Sequence, residues 1–179
     1  MRIYTRTGDD GTTGLLFGGR IRKDSAVTDA CGTVDEAQAA LGLVRAEAPA
    51  GGELHELVLH LERELWVLMA ELATSPANRH KLRPGETLVT TAMVDGLEAL
   101  IDGLGERFSA PTEFVVPGQT TAAARLDLAR AVVRRAERRC LVVAVEGSRV
   151  PAYLNRLSDL LWTMARWQEG ESLPARARG

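Results

Sequence analysis

The sequence predicts an all-α protein, an up-and-down bundle of five helices preceded by a polar N-terminal loop. Three observations carry this. Five stretches repeat apolar residues at alternating spacings of three and four, the period of a helix that buries one stripe. Hydrophobic residues make up 45% of the 179 but aromatics only 4%, which describes a Leu, Val and Ala core that suits helices better than a sandwich. Prolines and glycines concentrate between those stretches.

Taken in order, residues 1–25 have no apolar period and form the loop; 26–169 form the bundle; 170–179, GESLPARARG, form a tail expected to fray. The first helix carries its seam on Val27, Ala30, Val34, Ala37, Leu41 and Val44, and Pro49 to Gly52 ends it. Leu54, Val58, Leu61, Leu65, Leu68 and Leu72 form the second, followed by a polar loop from Ser75 to Gly85. The third uses Val94, Leu97, Ile101, Leu104 and Phe108. Pro111 and Pro117-Gly118 interrupt before the fourth, and Phe114-Val115-Val116 between them suffices only for an extended stub. The fourth seam is Leu126, Ala129, Val133, Ala136, Cys140 and Val143, closed by Gly147. The fifth is Leu154, Leu157, Leu161 and Met164, with Pro151 in the first turn, where proline is tolerated. This is one domain, 1–179, with no internal repeat.

A net charge of −2 lacks the basic field of a nucleic-acid binder. There is no apolar run of membrane-spanning length, and MRIYTRTG has no apolar signal core, so a cytoplasmic protein with no membrane partner is expected. Cys31 and Cys140 belong to no metal or redox spacing and read as reduced, buried thiols.

Residues 5–25, TRTGDDGTTGLLFGGRIRKDS, combine five glycines, five Ser or Thr and four Lys or Arg. Glycine lets backbone N–H groups approach a ligand, and hydroxyls and cations suit phosphate oxygens. Neither GxxxxGK[ST] nor GxGxxG occurs, so a phosphate cradle and a flexible polar arm both stand. In LARAVVRRAERRC, residues 128–140, Arg130, Arg134 and Glu137 fall within about 60° beside the seam. They fit either a guanidinium site for phosphate or carboxylate, or a solvated face with Glu137 paired to its arginines. Asn155 and Asp159 share one face of the fifth helix, and Asp35 flanks the first seam as Arg130 flanks the fourth. HELVLH, residues 55–60, puts its histidines five apart with Leu59 where a zinc ligand would stand. No Glu-x-x-His di-iron motif, GxSxG elbow, Cys/His pair or DxHxxG corrinoid-ligand signature occurs.

YTRTGDDGTTGL, RIRKDS, GTVDEAQAALGL, FVVPG, ARAVVRRAER and YLNRLSDLLW, in this order over residues 4–167, resemble the ATP:corrinoid adenosyltransferases of the propanediol-utilisation type. The resemblance implies a ferritin-like five-helix bundle assembled as a homotrimer, with ATP at each subunit interface. It implies that Thr5, Arg6, Thr7, Gly8, Asp10, Gly11, Thr12, Thr13 and Lys23 hold the nucleotide with Arg134, Glu137, Arg138 and Asn155. By the same matching Asp35 and Arg130 form a salt bridge across the subunit boundary, and Phe114 lies over the corrin and helps exclude its lower axial ligand. Where the family usually reads PGG, Gln119 follows Pro117-Gly118, a strained turn if a positive φ is needed there.

The implied reaction is attack of cob(I)alamin on C5′ of ATP, giving adenosylcobalamin and triphosphate. Phe114, Arg134, Asp35 and Arg130 are then the catalytic set, and Mg²⁺ is held mainly through ATP phosphates rather than side chains. A flavin reductase and an adenosylcobalamin-dependent acceptor enzyme are the partners implied. The other class of function the residues allow is a non-catalytic, ATP-responsive corrinoid carrier or chaperone.

Overall fold

In the computed structural model, which describes residues 3–176, five α-helices follow a short hairpin. The hairpin pairs β1 (Thr12–Gly14) antiparallel to β2 (Arg20–Arg22). The helices are α1 (Ala26–Glu47), α2 (Glu53–Leu72), α3 (Thr91–Gly105), α4 (Thr121–Val143) and α5 (Val150–Glu169), with a 3-10 helix at Pro76–Lys81.

Local chemistry starts three of them: Ser25, Thr90 and Thr120 each accept a hydrogen bond from a backbone N–H of the first turn of α1, α3 and α4. Pro151 sits in the first turn of α5, and Gly147 takes φ +81° in the turn before it. The seams then meet. Val34, Ala37 and Leu41 of α1, Val58, Leu61 and Leu65 of α2, Ala129, Val133 and Ala136 of α4, and Leu154, Leu157 and Leu161 of α5 are all fully buried. Each buried Leu or Val contributes about 1.5–3 kcal/mol. α4 packs against α1 and α5, α1 against α2, and α3 against α5.

Ion pairs at the two ends fix the directions. Arg125 of α4 reaches Glu47 at the end of α1, whereas Arg139 reaches Asp29 at its start, so these two helices are antiparallel. Arg166 near the end of α5 reaches Asp127 near the start of α4. Arg107, just past α3, grips Glu53 at the start of α2. The hairpin therefore lies at the end where α1 and α5 begin, and the 106–120 loop lies at the opposite end.

Three features depart from expectation. Phe108 falls beyond α3, which ends at Gly105. The polar loop after α2 contains the 3-10 helix. The tail is tied down as far as it is described: Val116 N–H donates to Leu173 O (2.8 Å) and Ala175 N–H to Phe114 O (2.7 Å). Residues 177–179 lie outside the described residues.

Burial raises the Cys31 thiol to about 11 and that of Cys140 to about 12, and both are unpaired. Among the described residues no helix is long and apolar enough to cross a membrane.

Candidate active site

The N-terminal segment is organised by its own side chains. Asp10 Oδ1 accepts from the backbone N–H of Thr12 (2.9 Å) and from its hydroxyl (2.8 Å). The Thr12 hydroxyl, then its amide, hold the Asp10 carboxyl below its ordinary value. Arg20, which the sequence reading did not single out, ties the turns together: its Nε donates to Thr12 Oγ1 (2.8 Å) and its Nη2 to the carbonyl of Thr7. Thr5 and Thr7 share a hydrogen bond of 2.8 Å between hydroxyls. Lys23 N–H donates to Gly11 O (2.9 Å), folding the lysine back over the loop.

Its Nζ leaves no room for a side chain at residue 8. A Cβ there would stand 2.9 Å from Lys23 Nζ and 3.1 Å from Thr12 O. Gly8→Ala is therefore expected to push the ammonium aside without unfolding the bundle. If Lys23 contacts a phosphate ligand, the Kd of that ligand should rise about fivefold, on the order of 1 kcal/mol, with Tm nearly unchanged. An unaltered Kd for ATP would remove Lys23 from such a contact.

A second group lies along α4 and α5. Arg134 and Arg138 are exposed, with Arg138 Nη1 donating to Arg134 O (2.9 Å). Glu137 is half-buried and accepts from Asn155 Nδ2 (3.1 Å), while Asn155 Oδ1 accepts from Arg156 (2.6 Å). The solvated-face alternative paired Glu137 with arginines of its own helix. Instead Arg135 and Arg139 bind Glu36 and Asp29 of α1, and no carboxylate among the described residues is within ion-pair reach of Arg134. Asp159 is exposed.

One turn before Arg134, Arg130 is half-buried and its Nε donates to Asp127 Oδ1 (3.2 Å). It lines a cavity of about 490 Å³ together with Phe114, Asp127, Trp162 and Arg166. Phe114 is 90% exposed, held out on a strand-like stub by its pairing with the tail. Behind it Arg166 Nη2 and Asp127 Oδ2 form a buried 2.6 Å pair. The glycine that turns this loop is Gly118, φ +115°; Gln119 does not take the left-handed conformation, so the expected strain at 119 is absent.

From Arg130 to Glu137 the helix rises about 10 Å. Phe114, Arg130, Arg134, Glu137 and Asn155 thus line one strip. The structure does not join two expected partners to it within a single chain. Asp35 is exposed on α1 while Arg130 is held by Asp127. Nor does any hydrogen bond or ion pair among the described residues connect Thr5, Arg6, Thr7, Gly8, Asp10, Gly11, Thr12, Thr13 or Lys23 with Arg134, Glu137, Arg138 or Asn155. The hairpin tip docks elsewhere, Leu16 N–H donating to Ala73 O (2.9 Å).

Against known proteins, residues 3–168 match the family model described as cobalamin adenosyltransferase. A corrinoid adenosyltransferase of Citrobacter freundii is 42% identical over 176 residues, covering 94% of this chain and 95% of that protein. The corrinoid adenosyltransferase PduO of Salmonella typhimurium is 38% identical over 176 residues, 96% of this chain; the chain spans only about half of that protein, 51%. Among solved structures, a phenylalanine-to-histidine variant of the PduO-type ATP:corrinoid adenosyltransferase from Lactobacillus reuteri, complexed with cobalamin and ATP, superposes with a TM-score of 0.86. Its identity is 26%, over 98% of this chain and 97% of that one.

Proposed function

The chain belongs to the cobalamin adenosyltransferase family, and we propose that it transfers the 5′-deoxyadenosyl group of ATP to the cobalt of cob(I)alamin. The Co–C5′ bond forms as the C5′–O bond to the triphosphate breaks, and the cobalt lone pair supplies the electrons. Reduced cobalt is the nucleophile, so the protein's tasks are in-line placement and stabilisation of the charge growing on the triphosphate. The observation that carries this reading is the strip on α4: an exposed phenylalanine and Arg130 share one cavity, and Arg134 follows one turn along.

In this reading the corrin rests against Phe114. The triphosphate meets Arg134, Arg138, Lys23 and the loop of Thr5, Arg6, Thr7, Gly8, Asp10, Gly11, Thr12 and Thr13. Glu137 and Asn155, already joined at 3.1 Å, face the nucleoside. Mg²⁺ would be held mainly through ATP rather than by side chains and would neutralise part of the triphosphate charge. Two unpaired thiols suit a reducing, cytoplasmic compartment. A flavin reductase would supply the electron for Co(II), and an adenosylcobalamin-dependent enzyme would take the product.

We place the complete site between subunits of a homotrimer. α4 is 23 residues long, about 34 Å, with the hairpin at one end of the bundle and Phe114 at the other. A hairpin from a neighbouring copy could close the strip, and the exposed Asp35 of one subunit would then meet Arg130 of the next. Asp35→Asn is expected to weaken the trimer in analytical ultracentrifugation or to slow corrinoid turnover. An unchanged trimer with normal kinetics dismisses the pair.

The decisive assay mixes reduced cobalamin with and without MgATP. Triphosphate and a light-sensitive alkyl-cobalt spectrum are expected only with both. Binding of both ligands without product would leave a corrinoid carrier.

A further inference from the structure

Glu71, in the last turn of α2, is 1% exposed and takes no part in the strip. Its Oε1 accepts from Arg79 Nη2 (2.9 Å) and Ser148 Oγ (2.7 Å), and its Oε2 from Val89 N–H (2.8 Å). The donors belong to three separate segments: the 3-10 helix, the entry to α3 and the turn into α5. A buried carboxylate with such a set is satisfied, and it fixes residues 73–81, a platform at the end of α2, against the entry to α3 and the turn into α5.

The hairpin tip rests on that platform. Leu16 bridges Thr74 in parallel and donates to Ala73 O, Asn78 Nδ2 donates to Phe17 O (3.3 Å), and Lys81 Nζ stands 5.9 Å from the Phe17 ring centre. Phe17 is held at φ +64°, a conformation a bulky side chain adopts only when its surroundings impose it. Two paired strands of three residues are marginal alone, so where this hairpin sits depends on what it docks against.

We propose that Glu71 is a positioning residue for ATP: through the 73–81 platform it holds the hairpin tip, and so sets where the Thr5–Thr13 loop and Lys23 stand. This rests on the reading of that loop as the triphosphate site. It separates Glu71 from a core residue that merely stabilises the bundle.

The test uses the full chain with MgATP and cobalamin. In Glu71→Gln an amide N–H must face one of three donors, and the ATP KM is expected to rise about tenfold while kcat and the cobalamin KM change less than about twofold. Asn78→Ala leaves the carboxylate network intact, removes one tip contact, and should raise the ATP KM about threefold; it decides the matter if Glu71→Gln does not fold. An unchanged ATP KM in a folded Glu71→Gln, an equal loss in all three constants, or an unchanged ATP KM in Asn78→Ala overturns the proposal. Lys23→Ala separates the two readings. If it leaves the ATP KM unchanged, the loop is not the phosphate site; if it raises the KM and the other variants do not, only the role of Glu71 fails.

Discussion

Phe114→Ala is expected to lose at least about 30-fold in kcat while the ATP KM stays within about threefold. The side chain is 90% exposed, an unusual state for a phenylalanine, and the cavity behind it is bordered by Arg130 and Trp162. A flat ligand laid over this ring would cover on the order of 150 Å² of apolar surface, about 4 kcal/mol. About half of that, used to keep the lower face of the corrin dry, is enough for the 30-fold effect. The physical reason is that Co(II) is hard to reduce while an axial base or water stays bound, and an apolar shell controls solvent access and potential at a metal. The loss should therefore be largest when a flavin reductant must reduce Co(II), and smaller when cob(I)alamin is supplied already reduced. A large rise in ATP KM at unchanged kcat would instead place Phe114 on the nucleotide.

The bundle was legible because its information is periodic and local. Val34, Ala37, Leu41, Val133, Ala136 and Leu157 are fully buried where a 3/4 repeat put them. Phe108 misled because it continues the repeat four residues past Leu104, across Gly105, a poor helix former at which α3 ends. What escaped is non-local. Asp127 and Arg166 are 39 positions apart and look like ordinary helix-surface charges until α4 and α5 pack. Backbone bonds tie the tail to Phe114 and Val116 and leave no side-chain signature. Arg20 is one cation among several in a polar loop, and nothing in the sequence shows that its guanidinium is occupied by Thr7 and Thr12. Glu71 sits one position before the seam residue Leu72 and gives no sign that three distant segments converge on it. For the strip itself, the 100° rule correctly set Arg134 and Glu137 beside Arg130, but only the fold brings Asn155 to Glu137 and Phe114 to Arg130.

Arg134→Ala is the complementary case. Three other arginines of α4 are already engaged, Arg130 with Asp127, Arg135 with Glu36 and Arg139 with Asp29, while Arg138 donates only to the Arg134 carbonyl. Arg134 is exposed, and among the described residues no carboxylate competes for its guanidinium. Arg134 and Arg138, one turn apart and both without a carboxylate partner among the described residues, leave two guanidinium groups arranged for an incoming anion. A charge-assisted contact to phosphate is worth about 1.5–3 kcal/mol, so the ATP KM should rise about 10- to 100-fold. If the contact strengthens as the triphosphate departs, kcat falls as well, and Arg134→Lys, which keeps the charge but loses the fork, should recover affinity more than rate. Tm without ligand should hardly move, since the residue makes no ion pair to lose. MgATP should then protect the variant less than the wild type by the same 10- to 100-fold shift in concentration, which thermal unfolding across an ATP series would read directly. Wild-type protection and an unchanged KM would exclude Arg134 from the triphosphate site and leave the helix face without a nucleotide to hold.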